Sequence, residues 1–174
     1  MDLINPNTKY KILTDINVSN VSSAVGCLVQ KSLIICGGRY FNDDFHDCSV
    51  IGKSKMKMEM LEKRRSAAGV LLNYDTLWIV GGLDCDDIGL RTTEFIKLGK
   101  HSVKGPDLPF SVYGHSMIKY DEKNIYLIGG SQNDSVSKKT WIVNPANNFQ
   151  IKDKLQHKII QRKINYLKYN TFQN

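Results

Sequence analysis

The chain has 174 residues, 41% of them apolar and 24% charged, which fits one folded domain and excludes a disordered chain. Its 24 Lys and Arg outnumber its 17 Asp and Glu, for a formal charge of +7. No apolar run approaches the roughly 18 residues of a membrane helix, and residues 1–20 lack a cationic start followed by an apolar block, so neither a membrane span nor a secretory signal is expected.

In chain order, the first landmark is Asn5-Pro6, a turn signal followed by Tyr10 and Ile12. Val21 then opens a run of small and apolar residues, Ser22-Ser23-Ala24-Val25. A polar turn at Gln30-Lys31-Ser32 leads into Leu33-Ile34-Ile35-Cys36, which ends on Gly37-Gly38. Lys53, Lys55, Lys57, Lys63, Arg64 and Arg65, offset by Glu59 and Glu62, form a basic stretch in which Met56, Met58 and Met60 alternate with polar residues. That period of two predicts a strand, either an outer strand with one solvated face or one wall of a basic groove for an acidic peptide.

The pattern then returns. Arg65 opens Ser66-Ala67-Ala68-Gly69-Val70, a turn follows at Asn73-Tyr74-Asp75-Thr76, and Leu77-Trp78-Ile79-Val80 ends on Gly81-Gly82. Tyr113 opens Gly114-His115-Ser116-Met117-Ile118, the turn is Asp121-Glu122-Lys123-Asn124, and Ile125-Tyr126-Leu127-Ile128 ends on Gly129-Gly130. Each unit reads as strand, tight turn, buried strand, glycine pair. Asn144-Pro145 repeats the opening turn, with Phe149 and Ile151 in the register of Tyr10 and Ile12. The remaining residues, 151–174, carry six Lys or Arg against one Asp, and their apolar residues Ile151, Leu155, Ile159, Ile164 and Leu167 recur at near-helical spacing. This tail reads as a basic amphipathic helix that caps the preceding structure, or as the first strand of an unfinished unit.

Three glycine pairs in one frame, each sixteen residues after Val21, Arg65 or Tyr113, define an internal repeat of roughly 46 residues. These residues resemble the kelch repeat, a unit of four antiparallel strands whose second strand ends in a glycine pair. Arg64-Arg65-Ser66-Ala67-Ala68-Gly69 ahead of Leu77-Trp78-Ile79-Val80-Gly81-Gly82 is especially similar to the kelch half of BTB–kelch proteins. The resemblance covers residues 4–151, and it implies an all-β fold, an incomplete kelch β-propeller. Repeats fall near 19–60, 61–108 and 109–151, with a partial repeat at 1–18 and the basic tail at 152–174. About three four-stranded antiparallel blades plus part of a preceding one fall short of the usual 4–8, so an open arc is expected. The fourth-strand tryptophan of the family is replaced by Tyr10 and Phe149, and its slot in the middle unit falls near Ser102 or Val103. The Tyr-Asp-Gly loop common after the glycine pair is absent.

No cofactor or metal site emerges. Cys27, Cys36, Cys48 and Cys85 form no CxxC pair, lack a His at zinc spacing, and read as reduced, packed thiols. His46, His101, His115 and His157 lie in different units or in the tail; His115 reads as a packed histidine. The acidic clusters Asp43, Asp44, Asp47 and Asp84, Asp86, Asp87 lack the ligand alternation of a calcium loop and read as solvated carboxylates. There is no phosphate-binding loop and no catalytic set, so the chain does not read as an enzyme.

The resemblance therefore implies a non-enzymatic protein–protein interaction module. In the family, loops on one face of the propeller bind a protein partner, often a substrate awaiting ubiquitination. The matching positions are Arg39, Tyr40, Arg64, Arg65, Ser66 and Tyr113, where arginine would pair with a carboxylate and tyrosine supply a rigid contact. Gly37, Gly38, Gly81, Gly82, Gly129, Gly130, Trp78 and Tyr126 take structural roles. No BTB domain is expected within these 174 residues. Its 19 Lys, 14 Asn and 17 Ile suit an AT-rich genome such as that of a poxvirus, many of which carry kelch proteins. A cytoplasmic modulator of host kelch and ubiquitin-ligase partners is one expectation, and a truncated gene remnant without activity is the other. Self-association to complete the ring is also expected, and binding of a specific nucleic acid is not.

Overall fold

A computed structural model describes residues 21–40, 43–44, 47–51, 56–132 and 135–146. The partial repeat at 1–18, the aromatic and Ile of the second Asn-Pro landmark, and the 152–174 tail lie outside them. Among the described residues the fold is all-β, with no helix, and no sheet closes on itself.

The first unit folds as β1 (Val25–Val29) and β2 (Ser32–Cys36), a small hairpin of β3 (Arg39–Tyr40) and β4 (Asp43–Asp44), then β5 (Asp47–Ile51) and β6 (Met56–Glu59). Its antiparallel sheet runs β1-β2-β5-β6. The second unit contains β7 (Ala68–Leu71), β8 (Thr76–Val80), β9 (Thr93–Lys97) and β10 (Val103–Lys104), again four strands in sequence order. The third contains β11 (Ser116–Lys119), β12 (Ile125–Ile128), the small hairpin β13 (Ser131–Gln132) and β14 (Ser135–Val136), and β15 (Thr140–Val143). Its sheet has three described strands, β11-β12-β15; the fourth-strand slot falls beyond residue 146. Each repeat is thus one antiparallel sheet, and the first strands lie side by side, β1 against β7 and β7 against β11.

Burial follows from strand alternation. Val25, Val29, Ile34, Cys36, Cys48, Val50 and Met58 of the first sheet pack with Leu77, Ile79 and Ile96 of the second. The opposite face of the second sheet, Val70, Trp78 and Val80, packs with Ile125, Leu127, Trp141 and Val143 of the third. The middle sheet is therefore covered on both faces, which is why Leu77–Val80 of β8 reads as an unbroken apolar run. Trp78 is wholly enclosed, stacked at 6.3 Å on Phe95. Tyr126, its register equivalent in the third unit, is not enclosed: it lies half-buried on the outward face of the third sheet, against Tyr120. In β6, the edge strand of its sheet, Met58 is buried and Glu59 exposed, and the next residue in the alternation, Met60, is buried too; this matches the outer-strand reading.

Two details differ from the sequence reading. The frame set by Val21 slips by one residue in the first unit: the residue equivalent to Arg65 and Tyr113 is Ser22. The cause is a shorter hairpin, in which only Gln30 and Lys31, both at positive φ, separate β1 from β2. The other two hairpins need longer turns, closed by Leu72 N–H on Thr76 O and by Tyr120 N–H on Asn124 O. The second correction concerns cysteine. Cys36 and Cys48, directly opposite on β2 and β5, are joined as a disulfide with Cα atoms 4.0 Å apart. Their pairing depends on sheet register, which a spacing of twelve residues does not reveal. Cys27 and Cys85 are free, and burial pushes the Cys27 thiol up.

Candidate functional site

The glycine pairs place one edge of all three sheets in register. Gly81 has φ +60, and a Cβ added there would stand 2.2 Å from the Val112 carbonyl oxygen of the next unit. Only glycine admits both that conformation and that approach. The close approach aligns a hydrogen bond from the next residue: Gly82 N–H donates to Val112 O at 2.8 Å, as Gly38 N–H donates to Arg64 O at 2.9 Å.

Beyond each pair the chain bridges back to the start of its own first strand. The bridged pairs are Ser22 with Arg39, Arg65 with Leu83, and Tyr113 with Ser131. The residue after each bridge, Ser23, Ser66 or Gly114, has positive φ. These three are stitched across the sheets, Ser66 N–H to Ser23 O at 2.9 Å and Gly114 N–H to Ser66 O at 2.8 Å. A small hairpin then projects from each unit at this edge: β3–β4, the loop between the bridged residues Leu83 and Gly89, and β13–β14. Repetition of sequence thus becomes a continuous rim of equivalent loops.

The six expected contact residues divide on this rim. Tyr40 is exposed, and Arg39, Ser66 and Tyr113 are half-buried, all at the rim. Arg64 and Arg65 are corrections. Arg64 is 1% exposed, and its guanidinium turns inward. It donates to Gly81 O at 2.8 Å, Thr92 O at 3.2 Å and Glu94 Oε1 at 2.6 Å, and pairs with Glu62 Oε2 at 3.1 Å. Glu94, also buried, accepts from Leu61 N–H at 2.6 Å, Glu62 N–H at 3.1 Å and Ser102 Oγ at 2.7 Å. With both terminal nitrogens of Arg64 hydrogen-bonded and only its Nε–H left without a partner, this buried ion pair is a clamp between the β6–β7 connection and β9, and it presents no charge to a partner. Arg65 is also buried; it donates to the Asp84 carbonyl and pairs with the Asp87 carboxylate.

That second clamp involves residues the sequence reading set aside. Asp84 Oδ1 accepts from Asp86 N–H at 3.0 Å and Ile88 N–H at 2.8 Å, so the 84–88 loop closes on its own carboxylate. Within this loop Asp86 is exposed, while Asp84 and Asp87 are engaged. Held this way, the loop displays Ile88 at 61% exposure. The available signal was the pairing of a basic bridge residue with an acidic loop one strand away, which needs the fold to be seen.

His115 is buried, and neither ring nitrogen has a hydrogen-bond partner. Desolvation lowers its pKa to about 4, so the ring is neutral at pH 7. It occupies the position of Ala24 and Ala67, packed against Gly130 and Gly81. Among the described residues no group of three His, Cys, Asp or Glu could hold a metal ion, and no helix is long and apolar enough to cross a membrane. No protein-family model matches the chain, and no curated protein matches it at a significant level.

Proposed function

We propose that the chain is a kelch-type β-propeller arc that works as a non-enzymatic protein-interaction module, with the loop rim as its docking edge. The observation that carries this reading is the stitched row Ser23–Ser66–Gly114, because it fixes three equivalent loops in one line on a rigid scaffold. Tyr40, Tyr113 and the Arg65-pinned loop bearing Ile88 supply aromatic and apolar contacts of the kind that dominate protein interfaces. Arg39 contributes polar contact beside them. The partner is a protein rather than nucleic acid, since the buried guanidiniums of Arg64 and Arg65 take two cations out of any charged surface here. A cytoplasmic role in competition with host kelch proteins is the biological form of this proposal.

The test is affinity capture from cytoplasmic extract with the wild-type chain and with a Tyr40→Ala/Ile88→Asp variant, read by quantitative mass spectrometry. Thermal melts of both proteins establish that the variant is as stable as wild type, since Ile88 is 61% exposed but Tyr40 only 37%. Proteins retained by wild type and lost by the equally stable variant support the docking edge. Identical captured sets refute it, and failure of the wild type to melt cooperatively favours the gene-remnant reading.

A further inference from the structure

The stack of sheets has two ends, and they carry opposite halves of a junction made twice within it. At each internal junction the second glycine of one unit donates to a carbonyl of the next, and the positive-φ residue of the next unit donates back. At the far end, Gly130 and Gly114 are the equivalents with no fourth unit among the described residues. Gly129, with φ +67, also stands open: the nearest atom to an added Cβ is Ser137 O at 3.8 Å, against 2.4 and 2.2 Å to the next unit's carbonyl at Gly37 and Gly81. At the near end, Val21 and Ser23 hold the positions of Arg64 and Ser66.

The side chains repeat the argument. On the outward face of the first sheet stand Gly26, Leu28, Leu33, Ile35 and Ile51. Register makes them equivalent to Gly69, Leu71, Leu77, Ile79 and Ile96, the face with which the second sheet covers the first, and the two sets are residue-for-residue identical. Gly69 receives Val25 of the neighbouring sheet, 2.6 Å from an added Cβ, while Gly26 has nothing within 4 Å. On the outward face of the third sheet, Ile118, Tyr126, Ile128 and Ile142 hold the positions of the second sheet's Val70, Trp78, Val80 and Phe95, a face covered by the third sheet. Leu28 and Ile118 are 65% and 55% exposed. One end is therefore built to be covered by the other.

We infer that a second copy of the chain docks end to end, the third sheet of each copy on the first sheet of its partner. Gly130 N–H then donates to Val21 O of the second copy, and Ser23 N–H of that copy donates to Gly114 O. Two such junctions related by a two-fold axis close the pair, since a heterologous contact forms a ring when the rotation closes. This deepens the self-association expected of an open arc, and it does not rest on the docking role of the rim.

Sedimentation equilibrium of the full chain tests it, with Ile118→Glu, Leu28→Glu and an equimolar mixture of the two. Wild type should have twice the chain mass. Each variant should associate on the order of 100-fold more weakly, because its junction buries an unpaired carboxylate. The mixture should regain association, since one wild-type junction can form between the Leu28 end of one variant and the Ile118 end of the other. A cooperative melt of each variant separates lost association from lost folding. A monomeric wild type overturns the inference and leaves the chain's own remaining residues to cover the faces. A dimer that survives Leu28→Glu overturns it in favour of a symmetric contact between third sheets. A ladder of larger assemblies overturns the closed pair.

Discussion

Gly81 and Gly129 share a backbone conformation but not an environment, and substituting alanine at each isolates the contribution of close packing between units. Their φ values are +60 and +67, so the conformational cost is nearly equal, about 1–2 kcal/mol for an L-residue in the left-handed region. Alanine also removes freedom from the unfolded chain, which offsets about 0.4–1 kcal/mol at either site. Gly129→Ala should therefore cost about 1 kcal/mol. At Gly81 the new methyl would meet the Val112 carbonyl oxygen at 2.2 Å, and that oxygen also accepts the Gly82 N–H. The backbone of the next unit has to move, which adds about 1–3 kcal/mol of overpacking and weakens a junction hydrogen bond. Gly81→Ala should cost about 3 kcal/mol or more. Both are best measured by urea and thermal unfolding in an Ile118→Glu background, where the copies are kept apart. With roughly 2–4 °C per kcal/mol for a chain this long, the two variants should differ by about 5 °C or more. Equal destabilisation would show that the carbonyl does not press on Gly81, and the repeated-junction argument would fail with it.

Arg64→Met should destabilise by about 3–5 kcal/mol, because Glu94 is left as an unpaired buried carboxylate; adding Glu94→Gln should recover part of this in chemical denaturation, and strict additivity would count against the clamp. His115 sets a pH dependence. Its unfolded value is near 6.5 and its folded value about 4. The unfolded chain thus binds the extra proton between those limits, and stability falls by about 3 kcal/mol as pH drops from 6.5 to 4. His115→Ala, which restores the residue found at positions 24 and 67, should remove that part of the slope in melts at pH 7, 6, 5 and 4. Thiol titration of the denatured, unreduced protein should count two reactive cysteines, Cys27 and Cys85, and four after reduction; four before reduction would mean that Cys36 and Cys48 are separate thiols in the compartment of expression.

Much of the architecture was legible because its causes are local. The unbroken apolar run Leu77–Val80, turn chemistry at Asn73–Asp75 and the glycine pairs all act within a few residues, and they recur, which separates them from chance. The strand slot near Ser102 and Val103 could be found by counting along the period, and β10 occupies it. The rim was partly legible: Arg39, Ser66 and Tyr113 could be placed by frame alone. Arg64 and Arg65 could not, since whether an arginine faces solvent or a buried glutamate thirty residues away depends on which strand lies beneath it.

By itself, then, the sequence determined the repeating unit, the place of each hairpin turn and the apolar character of the strands. Tertiary structure alone decided the rest. It turned two basic residues inward, set Cys36 opposite Cys48, enclosed His115 and left Gly129 facing open space where Gly37 and Gly81 face a carbonyl. The physical reason is range: propensity and periodicity are properties of neighbouring residues, whereas burial, ion pairing and the coverage of a sheet face depend on what an adjacent unit, or an adjacent chain, brings within contact distance.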